Sequence, residues 1–272
     1  LSLSLSLSLS LSLSRFSLAL SISLSTVKFC NMGPFIGFRW STDNGSTWHL
    51  PARNTSDNLF GEPLYPAGVV KLGAPHVVDF GQENIHAPDG KVYMVANGCL
   101  QQHPGANCSW ISGDAVFMAR AAADPRDPAA LNDRASWEFW TGTGWSPRLT
   151  DIQPLWTWMY KVGTVTLTFN AHSGAFLMCV TTPSADVFPS TVATYDTYLL
   201  EAAALAGPYR LVAYLRDFGP QAYFVHWPSK FLANATDGVL MFSANFYDMA
   251  QRPANPPGVG YGLNVAAVRL LE

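Results

Sequence analysis

Past Thr26 the chain alternates apolar runs of roughly five to nine residues with clusters of Gly, Pro, Asn and Asp, and long helical periodicity is absent. This pattern predicts many short strands in three sets. The first holds Pro75–Phe80, Lys91–Ala96, Ala115–Arg120 and Ser136–Trp140, and the second Val162–Phe169, Ala175–Val180, Thr197–Glu201 and Tyr209–Tyr214. The third holds Ala222–His226, Gly238–Ser243 and Leu263–Arg269. Each set reads as an antiparallel meander of three or four strands.

The sets also resemble one another. Phe117-Met-Ala-Arg-Ala121 in the first and Tyr198-Leu-Leu-Glu-Ala202 in the second occupy the third-strand position, and each leads to an aromatic outer strand. All-strand repeats of about 50 residues predict the four-stranded antiparallel blades of a β-propeller. The five-bladed type is expected, with its amino-terminal part incomplete; four blades fit the residues present, the fourth being a partial one before Phe60. Residues 26–272 are expected to form a single domain. Residues 1–25 are a Leu/Ser alternation broken by Arg15, expected to take no part in the fold. A signal peptide would bring a Met start and a basic segment ahead of the apolar stretch, and a membrane span needs about 20 apolar residues; neither pattern is present.

Of the 272 residues, 49% are hydrophobic and 13% charged, with 16 Phe, 9 Trp and 10 Tyr, a composition that suits aromatic-rich strands. Sixteen basic against nineteen acidic side chains leave a net charge of -3, which supplies no footprint for nucleic acid or an anionic membrane and points to a neutral partner. Cys30, Cys99, Cys108 and Cys179 lack the spacing of a zinc site, so neither metal nor cofactor is expected. Cys99 and Cys108 flank an eight-residue loop that a disulfide closes in an oxidising compartment; two free thiols are the alternative. Asn-x-Ser/Thr triplets begin at Asn44, Asn54, Asn107 and Asn234, all in predicted turns or loops. Together these features predict a secreted or lumenal protein.

The most specific motif is Ser41-Thr-Asp-Asn-Gly-Ser-Thr-Trp48. Asp43 can accept from backbone amides across a turn, Gly45 can adopt a positive φ, and Trp48 is expected to pack beneath as a buried lid. The motif resembles the Asp-box hairpins of sialidase-like and other glycan-processing propellers, which implies a fold and says nothing of a reaction.

A second resemblance spans about Gly33 to Phe246. Gly73-Ala-Pro-His-Val-Val-Asp-Phe-Gly81, Pro88-Asp-Gly-Lys-Val-Tyr93, Ser112-Gly-Asp-Ala-Val-Phe117, Tyr198–Ala202 with Gly207-Pro-Tyr209, and Gly219-Pro-Gln-Ala-Tyr-Phe224 follow one another as in five-bladed glycosidases of the arabinanase and levansucrase type. The resemblance implies three acidic side chains from inner strands of different blades in a central funnel: a base, an acid, and one that orients. Glycoside hydrolysis needs a carboxylic acid to protonate the departing oxygen and a carboxylate to activate water or attack.

Three acids are candidates for catalysis: Asp79, Asp114 and Glu201. Asp79 ends the first strand of its meander, and it fits either a base in the funnel or a cap on the turn at Gly81. Asp114 begins a strand, where a carboxylate commonly bonds local amides. Glu201 ends an apolar strand, and an ion pair with Arg120 or Arg210 is its structural alternative. His76, His86, Trp156, Trp158, Gln221 and Tyr223 are candidates for contacts to sugar, the tryptophans by stacking on apolar sugar faces. The expected activity is a glycoside hydrolase, or related carbohydrate-active enzyme, working on a neutral polysaccharide or oligosaccharide. A non-catalytic glycan-binding propeller, an inactive truncated homologue and a sialidase are the other readings.

Overall fold

The computed structural model describes residues 11–13, 16–21, 33–43, 45–53, 56–63, 68–102, 109–122, 127–184, 195–218, 222–245 and 261–270. Contacts divide the chain into two compact units, residues 1–162 and 163–272. Each is made of antiparallel sheets joined by turns and short 3-10 segments, an all-β, propeller-like architecture of open sheets.

Unit 1 begins with β1 (Leu11–Leu13), β2 (Phe16–Ser21) and β3 (Gly37–Ser41), which form one sheet. Phe16–Ser21 keeps the period-two spacing of a strand, and its backbone pairs with Gly37–Ser41. The second sheet runs β4 (Ala74–Val77), β5 (Val92–Gly98), β6 (Gly113–Ala121), β7 (Trp137–Trp140) and β8 (Trp145–Ser146), and β9 (Trp156–Val162) pairs with the first half of β6. One face of this sheet buries Met94, Ala96, Ala115, Phe117 and Ala119 against Phe35, Phe38, Phe60 and Trp137. Phe38 stacks on Trp137 with ring centres 5.5 Å apart, and the Trp137 indole donates to the Leu131 carbonyl. The side-chain amide of Asn132 serves β3 as a substitute strand: its Oδ1 accepts from Phe38 N at 2.8 Å, and its Nδ2 donates to Phe38 O at 3.0 Å. A Cβ on Gly37 would lie 2.6 Å from that Oδ1, so only glycine permits the approach.

The Ser41–Trp48 turn closes as its sequence implies. Asp43 Oδ1 accepts from Thr47 N and Ser41 Oγ, Asp43 Oδ2 accepts from Thr47 Oγ1, and Gly45 has a φ of +87°. Donation from Thr47 and then Ser41 holds the Asp43 carboxyl at about 2, below its ordinary 3.8. Trp48 lies against Gly45, with the glycine's Cβ position 3.5 Å from its ring. It is half-buried where full burial was expected, because an exposed hairpin covers only one side of the ring.

Unit 2 contains a four-stranded meander, β10 (Val165–Asn170), β11 (Ala175–Pro183), β12 (Tyr195–Ala202) and β13 (Arg210–Leu215), and a three-stranded one, β14 (Ala222–His226), β15 (Asp237–Asn245) and β16 (Tyr261–Arg269). Leu177, Cys179, Leu199, Val225, Trp227 and Phe242 form their shared core. The first strands of the two meanders are stitched together by hydroxyls: Thr166 Oγ1 donates to Val225 O at 2.6 Å, and Phe224 N donates to Thr164 Oγ1 at 3.1 Å. Burial among apolar neighbours pushes the Cys179 thiol up to about 12, so this free cysteine packs as a small hydrophobe. In unit 1, Cys99 is disulfide-bonded, and Cys108 lies outside the described residues.

Candidate functional site

Cross-strand register places His76 of β4, Asn97 of β5, Asp114 of β6 and Trp156 of β9 on the sheet face opposite the apolar core of unit 1. His76, Asn97 and Asp114 are buried, and such polar groups demand partners. Asn97 Nδ2 donates to the carbonyls of Trp110 and Val162. Asp114 Oδ2 accepts from Leu100 N at 3.0 Å, and its Oδ1 from Tyr160 N at 3.3 Å.

The second of these bonds organises the surface. Thr157 pairs with Ala115 and Val162 with Gly113, so Trp158, Met159, Tyr160 and Lys161 bulge out of β9 opposite the single residue Asp114. Tyr160 takes a φ of +62° to hand its amide to the carboxylate. Trp158, Met159 and Tyr160 are consequently 38%, 39% and 49% exposed. Glycines give the backbone room beneath: a Cβ on Gly113 would meet Gly98 O at 2.9 Å. Trp156 is half-buried, and its indole N–H has no acceptor among the described residues. Of the candidates, His76, Asp114, Trp156 and Trp158 are thus brought together on one sheet.

Asp79 and His86 meet elsewhere, on the turn that follows β4. Asp79 is half-buried and its Oδ1 accepts from Gly81 N at 2.9 Å, while a Cβ on Gly81 would lie 3.1 Å from the His86 ring. Two non-glycine residues of this turn, Glu83 and Asn84, hold φ values of 59°, a strained conformation of the kind that gathers at functional loops. Register sets the distance between Asp79 and Asp114. Val78 N bonds Tyr93 O at one end of β5, and Asp114 lies level with Cys99 just past the other. The two carboxylates are therefore separated by about seven residues of strand, roughly 20 Å, whereas an acid–base pair for glycoside hydrolysis needs about 5–10 Å. Asp79 and Asp114, two of the three candidate acids, lie farther apart than that.

In unit 2, Glu201 meets Arg210 across β12 and β13, Oε2 to Nη2 at 2.6 Å, which is its structural alternative. Tyr223 is buried, with its ring edge-on to Tyr195 at 6.3 Å. Gln221 lies outside the described residues.

Two carboxylates that sequence reasoning missed are better buried than most it found. Glu62, 4% exposed, accepts from Lys71 N at 2.6 Å and Leu72 N at 3.2 Å, and Asn58 bonds both its amide and its carbonyl. Burial pushes its carboxyl up to about 7, against the pull of those amides and of Lys71 and Arg134. Asp196 accepts from Ser184 Oγ, Tyr214 Oη and Asp217 N at 2.6, 2.7 and 3.0 Å. Burial alone would raise it, yet these donors and Arg216 hold it below the ordinary range, while its carboxylate pushes the Tyr214 phenol up to about 12. The Asn58-x-x-Gly61 turn signal before Glu62 was the one available clue; Asp196 had none. Among the described residues no group of three His, Cys, Asp or Glu is arranged to hold a metal ion, and no helix is long and apolar enough to cross a membrane.

No family model matches the chain, and no curated protein does. Solved structures do match. Over 98% of its length the chain is similar to 70% of BT0996 as solved in an RGII complex, with 10% identity and a TM-score of 0.53, a likeness of fold. A structure named "Glycoside hydrolase" aligns over 93% of this chain and 83% of its own, at 10% identity and a TM-score of 0.38.

Proposed function

We propose that this protein acts on carbohydrate and receives a neutral polysaccharide or oligosaccharide on the bulged segment of β9. The observation that carries this reading is the exposed series Trp158, Met159 and Tyr160, held in place by a buried carboxylate instead of being folded into the core. Flat rings at the surface offer stacking faces to the C–H side of sugars, and their backbone is anchored in advance, so little ordering entropy is lost on binding. The net charge of -3 suits a neutral ligand better than a polyanion, and a structure of similar fold is itself named for a complex with RGII.

Hydrolysis, the activity implied by the sequence resemblance to propeller glycosidases, is the second reading. It is favoured by the strained turn at Glu83 and Asn84 beside the half-buried Asp79. One experiment addresses both: binding and sugar release are measured on a panel of neutral plant and algal glycans with the native chain and two variants. Trp158→Ala is expected to weaken binding on the order of tenfold with the melting temperature nearly unchanged. Undiminished affinity in that variant refutes the β9 site. Asp79→Asn retains an oxygen for Gly81 N and loses the charge, so sugar release should fall by about 100-fold if Asp79 is the base. A folded Asp79→Asn protein with native turnover removes it from the chemistry.

A further inference from the structure

Of the four Asn-x-Ser/Thr triplets, Asn234-Ala-Thr236 lies among the described residues, while Asn44, Asn54 and Asn107 lie outside them. Asn234 is exposed, on the turn between the 3-10 segment Ser229–Phe231 and β15. The turn is closed by its side chain: Oδ1 accepts from Thr236 N at 2.8 Å, Thr236 Oγ1 at 3.1 Å and Asp237 N at 2.7 Å. Its Nδ2 donates to Asp237 Oδ2 at 2.7 Å, and Asp237 is paired with Arg269 across the sheet. Asn170 Nδ2 holds the same turn from β10 through the Ala235 carbonyl at 3.1 Å.

We infer that Asn234 is an N-glycosylation site. Three observations converge: the acceptor triplet, its exposed and hydrogen-bonded turn, and the disulfide at Cys99, which marks an oxidising compartment of the kind in which N-glycans are added. The co-reactant is an oligosaccharide linked to a lipid through pyrophosphate. Nδ2 attacks the anomeric carbon, a C–N bond forms, the C–O bond to pyrophosphate breaks, and the lipid pyrophosphate leaves with the electron pair while one Nδ2 proton passes to a base. Oδ1, which accepts the three bonds that close the turn, takes no part in the substitution, so the turn can persist beneath the glycan.

The test uses the full chain secreted from a eukaryotic cell line. Peptide-N-glycosidase treatment in heavy-oxygen water, followed by peptide mass spectrometry, converts an occupied Asn234 to a labelled Asp. Labelling of that peptide is expected, together with loss of one glycan mass from the intact protein in both Asn234→Gln and Thr236→Ala, and its retention in Thr236→Ser. An unlabelled Asn234 peptide in the secreted native chain overturns the assignment, and this measurement depends on no variant folding.

Discussion

Alanine at position 62 is expected to destabilise unit 1 by about 2–5 kcal/mol, because two buried backbone amides, Lys71 N and Leu72 N, lose their acceptor together. Those amides lie on the segment that feeds β4, where Gly73 N and Cys99 N begin the pairing with β5, so the loss should reach the whole sheet. Glu62→Gln separates hydrogen bonding from charge, since it keeps an acceptor oxygen and cannot ionise. With its folded-state carboxyl near 7 against an ordinary 4.5, the native protein holds a proton that the unfolded chain releases between those values. Stability contributed by Glu62 is therefore greatest near and below pH 4.5 and declines as pH rises toward 7, by on the order of 3 kcal/mol. Urea denaturation at about pH 5 and pH 8 should show that decline in the native chain and lose it in Glu62→Gln. An equal decline in both would mean that another group titrates.

Truncating Asp114 to alanine should cost about 2–4 kcal/mol for the same physical reason, and its local consequence is more informative. Tyr160 N loses this acceptor, so the φ of +62° on which the β9 bulge depends is less well supported. Amide exchange at Tyr160 and Leu100 should accelerate, and glycan binding should weaken along with it. Asp114→Asn leaves one carbonyl oxygen for two donors and should fall between native and alanine on both measures. Native exchange rates with abolished sugar release in Asp114→Asn would instead assign the carboxylate to chemistry.

Strand positions were legible because period-two alternation broken by Gly, Pro, Asn and Asp leaves little else for runs this short to form. All eleven runs named from the sequence correspond to strands, within a few residues at their ends. Trp156–Val162 was harder to read. Its aromatic residues looked like the approach to an inner strand, and only the register with β6 reveals a strand with a bulge. Residue type and strand position likewise made Asp79, Asp114 and Glu201 candidates, but the separation of Asp79 and Asp114 is a property of pairing register, which no local signal encodes. For Glu201 the sequence offered both a catalytic carboxylate and an ion pair with Arg120 or Arg210, and the register of β12 and β13 sets it opposite Arg210. Glu62 and Asp196 were not, because their burial is imposed by segments distant in sequence or by turns whose backbone supplies the donors. In the Ser41–Trp48 turn the bond from a backbone amide to Asp43 and the positive φ of Gly45 were legible because donor and acceptor lie within five residues of one another, while the hydroxyl bonds of Ser41 and Thr47 were not foreseen.

The amide of Asn132 joins two stretches of chain 94 residues apart with a pair of hydrogen bonds. Closing so long a loop costs chain entropy that two bonds to one side chain cannot offset, so the join cannot form before the strands on either side have collapsed around Trp137. It is therefore expected to form late, after the folding transition state, and so to govern how fast the protein comes apart more than the rate of assembly. Removing it should steepen neither arm of a chevron plot but raise the unfolding arm, and β3 should therefore be the first described strand to exchange its amides when unit 1 opens.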